Sequence, residues 1–218
     1  MTEKKHVTLT IDNKEIQTEE GKTLLEVSLD NGIYIPNLCY IRGMDRPPGS
    51  CRLCFVEIKG ENRPVASCTI KVIDGMVVKT DTQEVRRLQR SALRLLLSVH
   101  HIECAKCPAN KKCELQKLAK FLDIGLKAKG LNTHLKETEV EESHPLLNYY
   151  PNRCVLCGKC IFVCTKSHHE PLLTFAKRGL ETVISYWGAE GATNLPCKEC
   201  QACIDICPVS AITFKAST

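Results

Sequence analysis

The chain has 218 residues, room for one large domain or two to three small ones, and its 43% hydrophobic and 25% charged content describes a globular chain rather than a disordered or fibrous one. Fifteen cysteines stand against only 11 aromatic residues, so metal or disulfide is expected to share the work of holding the core. A net charge of +5 does not by itself mark a nucleic-acid protein, because the basic residues are scattered and form neither a recognition helix nor an aromatic-basic stacking pattern.

No export or membrane signal is visible: Met1 to Val7 is charged with no apolar run behind it, and Leu95-Leu96-Leu97 is far too short to span a bilayer. A cytoplasmic location is therefore expected. Thiols stay reduced there, so dense cysteines read as metal or redox sites before they read as a disulfide framework.

In chain order, Val7 to Ile11 alternates as a strand, Asp12-Asn13 turns, and Glu15 to Thr18 returns as its hairpin partner. Thr23 with Glu26 forms a capping box for a helix that buries Leu24, Leu25, Val27 and Leu29 and stops at Asn31-Gly32. Strands are expected at Phe55 to Lys59, Val65 to Thr69 and Met76 to Lys79, with Asp74-Gly75 turning between the last two. From Thr82 to about His100 a helix is expected to bury Val85, Leu88, Ala92, Leu95, Leu96 and Val99. A second helix follows Cys113, with Leu115, Leu118, Ala119 and Leu122 inward and Gly125 closing it. Lys136 to Ser143 is charged and reads as a linker or exposed segment. Leu172 to Ala176 and Glu181 to Ser185 read as short strands joined near Arg178-Gly179, a hairpin packed beside the cysteine runs that flank it.

Those runs are an internal repeat: Cys154-x2-Cys157-x2-Cys160-x3-Cys164 recurs as Cys197-x2-Cys200-x2-Cys203-x3-Cys207 before Pro208. A four-iron cubane needs four converging thiolates. The x2, x2 spacing supplies three from one loop, and in two-cluster ferredoxins the outlying fourth cysteine ligates the other cluster. One [4Fe-4S] site is thus expected from Cys154, Cys157, Cys160 and Cys207, and a second from Cys164, Cys197, Cys200 and Cys203. Zinc also uses short cysteine pairs, but two runs of four at identical spacing favour cubanes. Gly158 permits close backbone approach, and Lys159 and Lys198 stand where they can offset thiolate charge, unless they are simply a turn residue and solvated lysines.

Cys39-x11-Cys51-x2-Cys54-x13-Cys68 suits a two-iron cluster held in a loop against a small sheet, although plant-type spacing has four residues where this chain has eleven; zinc and plain structural thiols remain alternatives on spacing alone. The middle set, Cys104-x2-Cys107-x5-Cys113, lacks a fourth thiol. His100 is the leading candidate to complete it and His101 the rival, since imidazole is an established iron ligand. Four sites of four ligands need one more donor than the 15 cysteines provide, which leaves one place for a histidine, and an odd count also forbids complete internal disulfide pairing.

His100-x3-Cys104-x2-Cys107-x5-Cys113 followed by Glu114-Leu115-Gln116, after the Cys39/Cys51/Cys54/Cys68 set, resembles the N-terminal iron-sulfur region of the complex I large electron-transfer subunit. With the two cubane runs added, the order is similar to the accessory region of [FeFe] hydrogenases, and in extent to the iron-sulfur diaphorase subunit of NAD-linked [NiFe] hydrogenases. The resemblance covers nearly the whole chain. It implies an α+β architecture: a ubiquitin-like β-grasp [2Fe-2S] domain over 1–81, a helical [4Fe-4S] domain over 82–140 with one His and three Cys ligands, and a two-[4Fe-4S] ferredoxin-like domain over 141–218. It also implies His100 rather than His101 as ligand. The cofactors implied are one [2Fe-2S] and three [4Fe-4S] clusters.

Because the chain ends at Thr218, it is expected to lack the catalytic domains of its longer relatives and to act as a separate electron-transfer subunit of an oxidoreductase complex. No two glycines are separated by one residue, so no GxGxxG loop exists, and Glu20-Gly21-Lys22-Thr23 fails as a phosphate loop because Ile16 stands where glycine is required. NAD(P)H and flavin are then expected on a flavoprotein partner, with a hydrogenase or other terminal catalytic subunit at the far end. The same relay would serve an electron-bifurcating complex or a formate dehydrogenase; a zinc-stapled interaction or nucleic-acid-binding protein, and a redox sensor with labile clusters, are readings from other classes. Charge fits the relay: with about −2 for each all-cysteine cluster and about −1 for the His-ligated one, the formal charge falls to about −2.

Overall fold

The computed structural model describes residues 5–127, 130–168, 172–187 and 196–215, apart from the side chain of Lys198, so the charge-balancing role expected of that lysine lies outside the described residues. The chain divides into two compact units, Met1–Leu93 and Arg94–Thr218. Among the described residues no helix is long and apolar enough to cross a membrane.

The first unit is a small mixed sheet with a helix against it. Strands β1 (His6–Ile11) and β2 (Lys14–Glu19) form the expected hairpin, and Asp12 and Asn13 both take the left-handed conformation (φ 48° and 69°) that a tight two-residue turn requires. Helix α1 (Leu24–Asp30) starts where the cap predicts: the Thr23 hydroxyl accepts the Glu26 backbone N–H at 3.2 Å. It ends at Asn31, with Gly32 left-handed behind it. Leu24, Leu25 and Val27 are fully buried against Val7, Leu9, Ile11 and Val56, each contributing roughly 1.5–3 kcal/mol of transfer free energy.

Strands β3 (Phe55–Ile58), β4 (Val65–Ala66) and β5 (Val77–Lys79) complete the sheet in the order β2-β1-β5-β3-β4, with β5 parallel to β1. Two expectations change here. The strand expected over Val65 to Thr69 stops at Ala66, because Ser67–Thr69 tightens into a 3₁₀ turn that carries Cys68. β5 pairs not with β4 but with β1 and β3, so Asp74-Gly75 turns the chain into the middle of the sheet.

Helix α2 (Gln83–Ser98) buries Val85, Gln89, Ala92, Leu93 and Leu97, while Leu95 is 61% exposed. The buried stripe is rotated from the expected one because Gln89 belongs to it: its side-chain amide donates to the Phe55 carbonyl at 3.2 Å, a polar contact that hydrophobic periodicity does not register.

In the second unit, α3 (Glu114–Phe121) buries Leu115, Leu118 and Ala119, and Leu122 caps it. Asp123 (φ 53°), not Gly125, takes the left-handed closing position. Strand β6 (Leu147–Tyr149) pairs with β9 (Ile212–Phe214), and between them lie α4 (Lys159–His168), the hairpin β7 (Leu173–Ala176) and β8 (Val183–Tyr186), and the short helices α5 (Cys197–Cys200) and α6 (Ala202–Asp205). Residues 136–143 are largely exposed, tied down where the buried Asn152 exchanges two hydrogen bonds with the Lys136 backbone (2.7 and 2.9 Å).

The helix register is open to a direct check. Leu93→Ala is expected to cost 2–5 kcal/mol and Leu95→Ala less than about 0.5 kcal/mol, read from urea unfolding of the holoprotein.

Candidate metal centres

In the first unit, Cys39, Cys51, Cys54 and Cys68 are all buried. The loop before β3 delivers two of them, and Arg52 between them adopts φ 52°, which curls the backbone so that Cys51 and Cys54 face inward. Gly49 permits close approach behind them: a Cβ there would stand 3.2 Å from the Thr69 side chain. The 3₁₀ turn brings Cys68 in, and Ser67 fixes it by donating both its backbone N–H and its hydroxyl to the Cys54 carbonyl at 2.9 Å. Cys39 Sγ and Cys51 Sγ lie 3.5 Å apart.

As thiols alone the four share protons unequally. Hydrogen bonds from Cys51 and Cys68 hold Cys39 far below the ordinary thiol range, while donating to Cys39 pushes both of them up. The bond from Cys68 lowers Cys54 to about 7. Four sulfurs linked in this way favour deprotonation only in part, and a cationic iron core held by Cys39, Cys51, Cys54 and Cys68 would complete it.

The middle cysteines sit on a 3₁₀ turn (Cys104–Lys106), just after it (Cys107) and at the N-cap of α3 (Cys113). Lys111 in this loop is left-handed (φ 66°), and its N–H donates to Gln116 Oε1 at 2.9 Å. Burial raises Cys113, partly offset by the backbone N–H groups of Gln116 and Leu115. His100 and His101 separate cleanly. His101 is exposed, whereas His100 is buried at 7% exposure. His100 Nδ1 has no hydrogen-bond partner, and the ring bonds to the Arg153 backbone through its other nitrogen. A buried imidazole that gives one N–H to a carbonyl and keeps the other nitrogen bare is arranged as a metal ligand is. Burial also lowers its pKa to about 4, so the ring is neutral.

The two cysteine runs interleave. One small cavity is lined by Cys154, Cys157, Cys160 and Cys207, and a second by Cys164, Cys197, Cys200 and Cys203. Each takes three sulfurs from one run and one from the other. Left-handed residues again turn the loops: Leu156 (φ 50°) and Gly158 (φ 72°) in the first run, Gln201 (φ 51°) in the second. Backbone N–H groups point at sulfur, from Leu156 to Cys154 at 3.4 Å and, after left-handed Ser210 (φ 48°), from Ala211 to Cys207 at 3.1 Å. Burial pushes Cys157 and Cys203 up to about 12, an environment in which an unmetallated thiol stays protonated.

The hairpin β7–β8 forms an outer layer beside these cavities, as expected: the Ile184 N–H donates to the Tyr149 hydroxyl at 3.2 Å, and Tyr149 in turn is hydrogen-bonded to Cys154. Sequence reasoning singled out neither Tyr149 nor His144, whose Nε2 stands 3.5 Å from Cys197 Sγ; each is remote in sequence from its cysteine or belongs to no motif. The middle cysteines connect to the first cavity at both ends. Glu114, next to Cys113, donates its N–H to the carbonyl of Pro208, next to Cys207, at 3.1 Å, and His100 bonds to the backbone of Arg153, next to Cys154.

Among the described residues no three or more His, Cys, Asp or Glu side chains crowd close enough to share a single ion. The donor chemistry of the nests, soft sulfurs in buried pockets with N–H groups aimed at them, suits multi-iron sulfide cages, which spread four ligands over several irons.

Residues 4–83 match the model of a 2Fe-2S iron-sulfur cluster binding domain, and residues 89–125 that of the NADH-ubiquinone oxidoreductase-G iron-sulfur binding region. A chain in the crystal structure of NAD+-reducing [NiFe]-hydrogenase in its H2-reduced state superposes with a TM-score of 0.84 at 32% identity, covering 97% of this chain and 88% of that one. The chain belongs to this iron-sulfur subunit family. Further relatives of the family include NAD-reducing hydrogenase HoxS subunit gamma of Cupriavidus necator, 29% identical over 96% of this chain and 87% of its own length. NADPH-Fe(3+) oxidoreductase subunit alpha of Geobacter sulfurreducens is 32% identical over 96% of this chain, which spans only 24% of that relative's length. The chain thus carries both 2Fe-2S and 4Fe-4S binding domains.

The left-handed loop residues give a stability test. Leu156→Gly is expected to be close to neutral, whereas β-branched Leu156→Val should lose about 1–2 kcal/mol, measured by thermal unfolding of the holoprotein under anaerobic conditions.

Proposed function

We propose that the chain is an iron-sulfur relay, carrying electrons between an NAD(P)H-oxidising flavoprotein subunit and a terminal catalytic subunit, a [NiFe] hydrogenase. The observation that carries this reading is the pair of cavities, each gathering three cysteines of one run and the outlying cysteine of the other, the crossed pattern of a two-cubane ferredoxin. The relatives support the partner classes, since two of them bear the names of NAD-reducing hydrogenases. The sequence supports placing the nicotinamide elsewhere, because it holds no GxGxxG loop.

In this reading three modules follow one another: a β-grasp module over 1–81, a helical module over 82–140 and a ferredoxin-like module over 141–218. Cys39, Cys51, Cys54 and Cys68 hold one [2Fe-2S] cluster. His100 with Cys104, Cys107 and Cys113 holds a [4Fe-4S] cluster, and the two cavities hold the remaining two. Bound clusters supply one-electron redox chemistry; the chain supplies the thiolates, the backbone N–H groups at sulfur and the dry surroundings that set each potential. Within the second unit, the hydrogen bonds from Glu114 to Pro208 and from His100 to the Arg153 backbone support an order that runs from the His100 site to the Cys154/Cys157/Cys160/Cys207 site and then to the Cys164/Cys197/Cys200/Cys203 site. A reducing compartment such as the cytoplasm suits thiolate ligation.

Anaerobically purified protein is expected to carry about 14 iron and equal acid-labile sulfide per chain, and to be reduced by NAD(P)H only when the flavoprotein subunit is added. Zinc at near stoichiometry without sulfide would overturn the reading. His100→Cys is expected to retain its cluster and lower that midpoint potential by on the order of 100 mV, since a thiolate adds negative charge where the imidazole is neutral. His101→Cys should leave every midpoint in place, as followed by EPR-monitored redox titration.

A further inference from the structure

His144 precedes both cysteine runs and belongs to no ligand motif, yet it is buried at 6% exposure with Nε2 3.5 Å from Cys197 Sγ. Its other ring nitrogen is already engaged: Nδ1 accepts the backbone N–H of Leu146 at 3.0 Å and of Leu147 at 3.2 Å. A ring nitrogen that accepts hydrogen bonds carries no proton, so the neutral imidazole holds its proton on Nε2, the atom that faces sulfur. The ring plane is fixed from another side by Tyr186 of β8, edge-on at 62° with centroids 4.5 Å apart. Two backbone donors and one aromatic neighbour thus set both the tautomer and the direction of the Nε2–H. The same arrangement argues against His144 as an iron ligand, because a ligating nitrogen must be bare, and four cysteines already line this cavity.

We propose that His144 is a tuning residue that donates an Nε2–H hydrogen bond to the Cys197 thiolate and thereby raises the reduction potential of the cluster held by Cys164, Cys197, Cys200 and Cys203. This rests on the ligand assignment proposed above. When that cluster takes up one electron the added negative charge is shared with its sulfurs, so a donor aimed at one of them stabilises the reduced state more than the oxidised state. The proton remains on Nε2 throughout; no bond is made or broken. The hairpin β7–β8 takes on a role in this arrangement, because Tyr186, which holds the ring edge-on, lies on it.

The test uses anaerobically isolated holoprotein with dithionite as reductant, comparing the unsubstituted chain with His144→Phe, which keeps a ring against Tyr186 but has no donor, and His144→Gln, which keeps an N–H near the Nε2 position. EPR-monitored titration is expected to show one [4Fe-4S] midpoint lowered in the Phe variant, largely restored in the Gln variant, with the other midpoints unmoved. Equal midpoints in all three proteins, or a Gln variant indistinguishable from Phe with a lowered midpoint, would overturn the proposal. Should the Phe variant fail to assemble, nitrogen hyperfine spectra of unsubstituted protein containing ¹⁵N-histidine still decide. Two clusters with nitrogen coupling, one strong from the ligand His100 and one weak from His144, support it, and a single coupled cluster overturns it. Loss of all [4Fe-4S] signals from the unsubstituted protein would instead count against the cluster reading itself, so the two failures are distinguishable.

Discussion

The attraction between thiolate and iron is what the rest of the molecule is arranged around. Several sulfurs sit where, as thiols, they are poorly placed: burial raises Cys157 and Cys203 to about 12, and in the first unit sulfur-to-sulfur hydrogen bonds hold Cys39 far below the ordinary thiol range while pushing Cys51 and Cys68 up. An anion moved out of water into such surroundings costs several kcal/mol unless it is paired. A polycationic iron core would supply the counter-charge such sulfurs need. Metal binding in such small modules is therefore part of the folding free energy and not an addition to a finished fold.

The backbone prepares each nest with the same local device. Arg52, Lys111, Leu156 and Gln201, four non-glycine residues inside cysteine loops, all lie in the left-handed region with φ between 50° and 66°. Each such residue costs about 1–2 kcal/mol relative to ordinary backbone. The cost is offset because the reversal turns N–H groups toward sulfur, as with Leu156 to Cys154, and lets the two cysteines of a Cys-x2-Cys pair face one point. Further contacts add to this: Tyr149, five residues before Cys154, hydrogen-bonds to it, and the Arg153 backbone, far along the chain, leaves the Nδ1 of His100 bare. Hydrogen bonds from Glu114 to Pro208 and from His100 to the Arg153 backbone tie the segment that carries Cys104, Cys107 and Cys113 to the first cavity.

The gathering of cysteines from the two runs around shared cavities was legible in the sequence because it follows from spacing, and spacing survives in one dimension. The x2, x2, x3 repeat of the two runs carries its crossed pairing with it, and the shortfall of one cysteine pointed to a histidine before any geometry was known. The first hairpin and α1 were legible for a similar reason: Asp12-Asn13 and Thr23 act on their near neighbours. What escaped involves partners far apart in the chain. The stripe of α2 departs from the hydrophobic pattern at Leu95, with Gln89 recruited inward by a carbonyl 34 residues away. β4 is shorter than its β-forming residues suggest because Ser67–Thr69 tightens into the 3₁₀ turn that carries Cys68. His144 carries no sequence signal at all; only the folded chain brings it to Cys197.

Iron-edge anomalous diffraction from crystals of the anaerobic holoprotein tests the crossed ligation most directly, since it locates metal without assuming ligands. The account predicts strong anomalous density bounded by Cys154, Cys157, Cys160 and Cys207 and, separately, by Cys164, Cys197, Cys200 and Cys203. Density enclosed by the four cysteines of a single run, or no iron signal in either cavity, would contradict it.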